Sequence, residues 1–251
     1  FVGCIEVFMQ GKQAPWADSR INPTYCLNLA LFNGVHSLDG KTVGPATGES
    51  FSDFESFYQA FLAQCRHNLH DMITAWNQSQ DYFDSRAMEY TSPLMSALIT
   101  DCIARGRDMN DGGAVYPGNC GFGVMGVATM ADSLAALKKW VFDERRFTLD
   151  QIRDMIKANF EGYEKEQQLL MRGAPKFGND DDAVDLLAAR FVRDYADLYE
   201  NYRTPQGGRY WVLMASNVSN IWAGSQVGAT PDGRLALTPL SDACSPYFGR
   251  D

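Results

Sequence analysis

The chain has 251 residues, 45% of them hydrophobic and 21% charged, with a formal net charge of −9 at pH 7. That composition supports a sizeable core and excludes the broad basic surface through which proteins hold nucleic acid. No apolar run approaches the ~20 residues of a membrane-spanning helix, and the start lacks the basic and apolar segments of a signal peptide. A cytoplasmic protein with no membrane contact is therefore expected. The six cysteines, Cys4, Cys26, Cys65, Cys102, Cys120 and Cys244, form no Cys-x-x-Cys pair. They read as reduced thiols, not as a disulfide framework or a zinc ribbon.

The chain opens on Val2-Gly3-Cys4-Ile5-Glu6-Val7. Positions i and i+2 of an extended segment point to the same side, so the Cys4 thiol and the Glu6 carboxylate can face one substrate together. A sulfur centre beside a proton acceptor suits a carbon that loses a hydrogen atom and then a proton. The same residues also read as a buried cysteine in a strand. Gly11 to Pro23 is loop-like. Pro23 starts a helix that carries Leu27, Leu29-Ala30 and Leu31-Phe32, and Asn33-Gly34 ends it. Residues 35–50 form a surface connection.

Ser52-Asp53-Phe54-Glu55 has the form of a capping box. After it, Phe54, Phe57-Tyr58, Phe61-Leu62, Cys65, Leu69, Met72-Ile73 and Trp76 recur at helical spacing. His67 and His70, with Asp71 beside them, lie on this helix. They read as a solvated face, and a metal site lacks further ligands at matching spacing. Ser92-Pro93 starts another helix that runs through Ile103 and ends near Gly106. Residues 110–116 read as a turn leading into a short strand. Asn119-Cys120-Gly121-Phe122-Gly123 is a glycine-rich stretch before a helix from Met130 to Glu144. No Gly-Lys-Ser/Thr follows it, so close backbone packing near a buried site is favoured over phosphate binding.

Thr148 to Gln151 is a second capping box, and helices follow to about Phe160, over Tyr163–Met171 and from the Asp180-Asp181-Asp182 run to about Tyr202. The three aspartates suit the positive end of the helix dipole, with calcium binding the lesser alternative. Arg209 to Ala215 reads as a strand, and Thr230-Pro231-Asp232-Gly233-Arg234 as a tight turn. Asn119, Asn217 and Arg234 are candidates for pocket lining and equally for turn or packing roles. About seven helices and three or four short strands make a mixed α/β segment. The chain opens at Phe1 and stops at Asp251 without completing an element, which reads as a segment of a longer polypeptide.

Four blocks carry a resemblance. Gly3-Cys4-Ile5-Glu6 with Gly11-Lys12, Trp16 and Leu27-Asn28-Leu29-Ala30-Leu31-Phe32-Asn33-Gly34 is similar to the cysteine loop and following helix of glycyl radical enzymes, the relatives of pyruvate formate-lyase. Ala131 to Lys139 resembles a second block. Lys176-Phe177-Gly178-Asn179-Asp180 with Val184-Asp185 resembles a third. Ala229 to Arg234, with Pro239-Leu240-Ser241 and Ser245-Pro246, resembles the fourth.

The resemblance implies a segment, residues 1–251, of one catalytic domain built as a ten-stranded α/β barrel with the cysteine loop at its centre. It implies that Cys4 is the thiyl residue that abstracts hydrogen and that Glu6 accepts or donates the proton. No cofactor is bound directly. The radical is stored on a glycine outside this segment, installed by a partner activase that uses an iron–sulfur cluster and S-adenosylmethionine, in an anaerobic organism, and the full-length enzyme is a homodimer. The family's storage loop has an Arg-Val-x-Gly-Tyr-like motif, which is absent here, so residues 1–251 alone are expected to be inert. Val7-Phe8 stand where several members have proline, which leaves the substrate open. Ile5 replaces a second cysteine, which argues against formate acetyltransferase activity. The leading expectation is elimination or dehydration of a small polar substrate. A radical decarboxylase, a fumarate-adding synthase or a formate acetyltransferase-like enzyme is the alternative within the family, and an inert structural remnant is the alternative outside it.

Overall fold

The computed structural model describes residues 8–13, 17–86, 89–214 and 218–249, with the backbone alone at 17–19 and 83–84. Cys4, Glu6 and Asn217 lie outside the described residues. The described elements are β1 (Ala17–Ile21), α1 (Pro23–Leu31), α2 (Phe54–Asp84), α3 (Pro93–Ala97), α4 (Cys102–Arg105), β2 (Cys120–Val124), α5 (Val127–Leu137), α6 (Leu149–Lys157), α7 (Glu164–Gly173), α8 (Asp182–Tyr199), β3 (Tyr210–Leu213) and α9 (Ser219–Ser225). The chain forms two compact units. One contains Leu69–Gly123 and Ala196–Leu213 together with the chain up to Arg20. The other contains Ile21–Asn68, Val124–Tyr195 and the chain from Met214 onward.

The first unit carries the sheet, in the order β1-β2-β3. β2 and β3 are parallel, with Phe122 opposite Val212. β2 lies where the sequence reads as a glycine-rich loop, and no strand forms at 112–116. The alternation of Cys120, Phe122 and Val124 with Gly121 and Gly123 is a strand pattern in which one face has no side chains. That bare face is used. A methyl group on Gly121 would sit 2.6 Å from Trp211 Nε1 and 2.7 Å from Leu213, and one on Gly123 3.0 Å from Arg20 Cδ. The other face places Phe122 among Trp76, Tyr199 and Tyr210, at ring-centroid distances of 6.3, 6.2 and 5.4 Å. Such aromatic pairs stabilise by about 0.5–1.5 kcal/mol each beyond area burial.

The helix read from Ser92 to Gly106 is broken in two. Asp101 adopts a left-handed φ of 78° between α3 and α4. Leu94, Leu98 and Ile103 are exposed, so their helical spacing marks no core-facing stripe. The segment is tied instead by Asp108, whose carboxylate accepts from Ser92 N and Ser96 Oγ at 2.7 Å each and from Asn110 N at 2.9 Å.

The second unit is helical. Asn22 caps α1 by accepting from Tyr25 N at 3.1 Å, and Asn33 and Gly34 end the helix with positive φ. At α2 the cap is Asp53, one residue later than the sequence pattern places it. Its Oδ1 accepts from Ser56 N at 2.8 Å, and Ser52 Oγ donates to the same carboxylate. Phe57, Tyr58, Phe61, Leu62 and Cys65 are buried, each large apolar side chain contributing roughly 1.5–3 kcal/mol. Phe61 meets Phe191 of α8 at 5.5 Å. Arg190 lies 4.0 Å over the Tyr58 ring and forks onto Glu55 at 2.6 and 2.8 Å. α5 ends at Leu137 and passes into a π-helical turn, Lys138–Asp143, where the sequence pattern implies a single α-helix. Thr148 and Gln151 form the second capping box, as their spacing implies, and open α6. α9 has no counterpart among the elements read from sequence.

Asp108 gives the first unit an acid-sensitive tie. Burial pushes its carboxyl up, but the hydrogen bonds from Asn110, Ser96 and Ser92 outweigh that and hold it below the usual aspartate value. A carboxylate depressed in the folded state stabilises above its unfolded value of about 3.9, and the contribution disappears as pH falls through the folded value. Urea unfolding at stepped pH is predicted to show stability falling below pH ~4, and Asp108→Asn to weaken that fall. An unchanged acid limb in the variant contradicts the assignment.

Candidate active site

The two residues singled out for chemistry, Cys4 and Glu6, lie outside the described residues. The structure gives a scaffold in which the three later sequence blocks meet. The buried polar network that joins those blocks lies wholly in the second unit.

Asp132 on α5 accepts from Phe177 N at 2.8 Å, and Asp185 on α8 accepts from Gly178 N at 3.1 Å. The Lys176–Asn179 loop is thus held between two helices by its backbone. Ser133, next on α5, donates to Asp232 Oδ1 at 3.2 Å, and Thr230 Oγ1 donates to the same oxygen at 2.5 Å. One turn earlier, Thr129 Oγ1 accepts from Ser241 N at 2.9 Å, while Ser241 Oγ accepts from Thr129 N at 3.1 Å. Segments far apart in sequence are thereby joined through buried polar groups. Such groups are tolerated in a core only when hydrogen-bonded.

Arg234 closes the arrangement. It is 1% exposed. Its Nη1 donates to the Leu235 and Thr238 carbonyls at 2.7 and 2.8 Å, and its Nη2 to those of Gly228 and Val227 at 2.8 and 3.3 Å. The turn itself forms where its residues imply one: Gly233, at φ 89°, donates its N–H to Thr230 O at 2.9 Å. Arg234 is therefore a clamp on its own loop, and it also borders a cavity of about 270 Å³. In the first unit, Asn119 Oδ1 accepts from Arg209 N at 2.8 Å, which makes it a tie at the entry to β3.

Sequence reasoning misses two features. Asn28 is buried on α1, and neither of its amide atoms, nor Ser37 Oγ, has a hydrogen-bond partner among the described residues. Both side chains converge on Gly228: a methyl there would collide with Ser37 Oγ and lie 3.5 Å from Asn28 Nδ2. The available signal is a lone polar residue inside Leu27-Asn28-Leu29-Ala30-Leu31. The second is Arg153 on α6, which the sequence pattern marks only as part of a helix. It is buried and donates to the carbonyls of Leu31 and Glu49 at 2.5 Å each. It borders a cavity of about 370 Å³ whose other walls include Phe51, Phe142, Arg145 and Phe147.

Cys26, Cys65, Cys102 and Cys120 are buried and form no disulfide among the described residues. Burial, then a hydrogen bond with Cys26, holds Cys65 well above the ordinary thiol value. Thiolate nucleophiles need the opposite environment. Among the described residues no group of three or more His, Cys, Asp and Glu is placed to hold a metal ion. His67 Nε2 faces Val43 O at 3.2 Å, whereas His70 Nδ1 faces Tyr202 Oη at 3.3 Å. No described helix is long and apolar enough to cross a membrane. The arrangement holds loops in place.

The pyruvate formate lyase-like family model matches residues 1–224. The chain is 35% identical to trans-4-hydroxy-L-proline dehydratase of Clostridioides difficile over 99% of its own length and 31% of the relative's. Isethionate sulfite-lyase of Bilophila wadsworthia is 34% identical, with 99% and 30% covered. The C. difficile enzyme solved with trans-4-hydroxy-L-proline bound superposes with a TM-score of 0.93 at 33% identity, over 99% of this chain and 31% of that one. The glycerol-bound B12-independent glycerol dehydratase of Clostridium butyricum gives 0.90 at 34%, with the same coverage. The chain spans about a third of the length of these proteins.

The clamp makes a prediction. Lysine has no planar fork and three donors at one point, so Arg234→Lys leaves buried carbonyls unpaired at about 1–3 kcal/mol each. Urea unfolding is predicted to show a loss of roughly 2–5 kcal/mol. A loss under ~0.5 kcal/mol, the range of ordinary surface substitutions, contradicts the clamp.

Proposed function

The chain belongs to the pyruvate formate lyase-like family of glycyl radical enzymes, and on that premise we propose that residues 1–251 are the cysteine-loop segment of a radical dehydratase or lyase. The observation that carries this reading is the family match across residues 1–224, which includes Gly3-Cys4-Ile5-Glu6, together with relatives named as dehydratases and a sulfite-lyase.

In the proposed reaction the Cys4 thiyl takes a hydrogen atom from a substrate carbon, giving an S–H bond and a carbon radical. Thiol S–H and activated C–H bonds are similar in strength, so the step is reversible. The new radical makes the hydroxyl or amine proton on the same carbon acidic, and Glu6 accepts it within the ~2.6–3.2 Å that proton transfer needs. The leaving group departs from the adjacent carbon with its bonding electron pair. The product radical then recovers the hydrogen atom from Cys4, which regenerates the thiyl. A hydroxyl leaves as water by taking the proton that Glu6 holds, which returns Glu6 to its carboxylate, and a sulfonate leaves as sulfite, in line with what the relatives' names state of those proteins. Substrates are small polar molecules with a heteroatom leaving group next to an activated C–H.

The segment belongs in this reading to a single catalytic domain, the ten-stranded α/β barrel of the family, whose interior shields the radical from water and oxygen. The storage glycine, the S-adenosylmethionine-dependent activase and the homodimer belong to the full-length enzyme in a cytoplasmic, anaerobic setting.

In the intact, anaerobically activated gene product, Cys4→Ala is predicted to abolish turnover with the fold and melting temperature retained. Glu6→Gln is predicted to lower kcat by about 10²–10⁴-fold. Circular dichroism and product NMR make the check. Turnover that survives Cys4→Ala removes the radical reading, and a variant that only loses stability supports an inert remnant.

A further inference from the structure

α9 buries one face and leaves the other bare in a way the second unit does not explain. Its inner face is finished. Ala223 is buried in a cluster with Met125 and Leu240, and Gly224 is so close to the Thr238 carbonyl that no side chain fits. Asn22 Nδ2 donates to Ala223 O at 3.0 Å, and Asn220 Nδ2 to Leu240 O at 2.8 Å. The outer face carries Val218, Ile221 and Trp222, at 80%, 57% and 64% exposure. Val218 is in helical conformation, so the three stand at i, i+3 and i+4 and form one stripe. A surface helix normally turns its apolar stripe inward, and α9 does the reverse. From Val218 to Pro231 the chain has no charged residue. Interface cores are depleted in charge and enriched in Trp, whereas membrane-surface helices carry Lys and Arg on their polar face.

We propose that the Val218–Ile221–Trp222 stripe is a permanent internal seam, covered by the polypeptide that lies outside residues 1–251 in the full-length protein. The occupant follows from length. The matched relatives carry about two thirds of their chains outside the matched region, and that region superposes on one of them at a TM-score of 0.93. The inference rests on the family reading, because it requires the remaining two thirds to exist here. It goes beyond that reading in naming the face on which they pack.

The test is hydroxyl-radical footprinting of Trp222 in the intact gene product, native against urea-unfolded, with intact mass and turnover measured on the same preparation. A covered Trp222 is predicted to label at least about tenfold more slowly in the native state, since buried interface cores exclude water. Trp222→Gln is predicted to lower the melting temperature, and Trp222→Phe to recover most of it. Native labelling near the unfolded rate overturns the proposal, as does an intact mass that ends at Asp251. Protection that disappears on dilution assigns the face to a second copy and overturns it too. Turnover with an exposed Trp222 rejects the seam alone. A protected Trp222 without turnover rejects only the proposed function.

Discussion

A guanidinium taken out of water must have its charge and donors met by oxygens, because the desolvation cost is several kcal/mol. Arg234 is in that position, and its answer shapes the second unit. Four backbone carbonyls, from Val227, Gly228, Leu235 and Thr238, turn toward one side chain. The loop between α9 and the Ser241 region is wrapped around a fixed cation. A loop without regular hydrogen bonding is thereby made as determined as a helix. Asp232, two residues before, fastens that loop to α5 by accepting from Ser133, and Thr230 of the same loop donates to the same oxygen.

Further ties lie in the same unit. α5 holds the turn through Ser133 and the Lys176 loop through Asp132. α8 holds the same loop through Asp185, and Thr129 holds Ser241. Each tie joins a side chain on a helix to a loop, so helices bear the load and loops take defined shapes. A radical enzyme needs this kind of frame. Loops held on a rigid frame are where reactive groups are commonly carried.

The fold is most legible in the sequence where a local rule acts alone. The cap at Thr148, the helix end at Asn33-Gly34 and the turn at Gly233 each depend on a few neighbouring residues, and each forms where those residues imply it. Legibility fails where tertiary context decides. Ser92 to Gly106 has helical spacing, but Asp101 takes a left-handed conformation and the chain is anchored to Asp108 instead. Cys120 to Val124 has strand alternation, but two glycines erase half of the hydrophobic signal and leave the look of a loop. The inward pull on α9 leaves no pattern, because its stripe belongs to its outer face. For the candidate site, the four blocks are visible as a family pattern. The meeting of the last three through Asp132, Ser133, Asp185 and Asp232 is not, because contacts between distant segments leave no mark on local spacing.

The central claim is that a carbon–hydrogen bond is broken homolytically and remade by Cys4. The most direct measurement places deuterium on the carbon beside the leaving group of a candidate diol, hydroxy amino acid or hydroxysulfonate. Turnover by the activated intact gene product is then followed by NMR in ordinary water under anaerobic conditions. The account predicts slowed turnover and deuterium leaving that carbon, either carried to the neighbouring position or exchanged through the thiol, and only after activation. Product that forms equally without activation means a polar elimination, in which a base removes the same deuterium as a deuteron, and the thiyl account is then wrong.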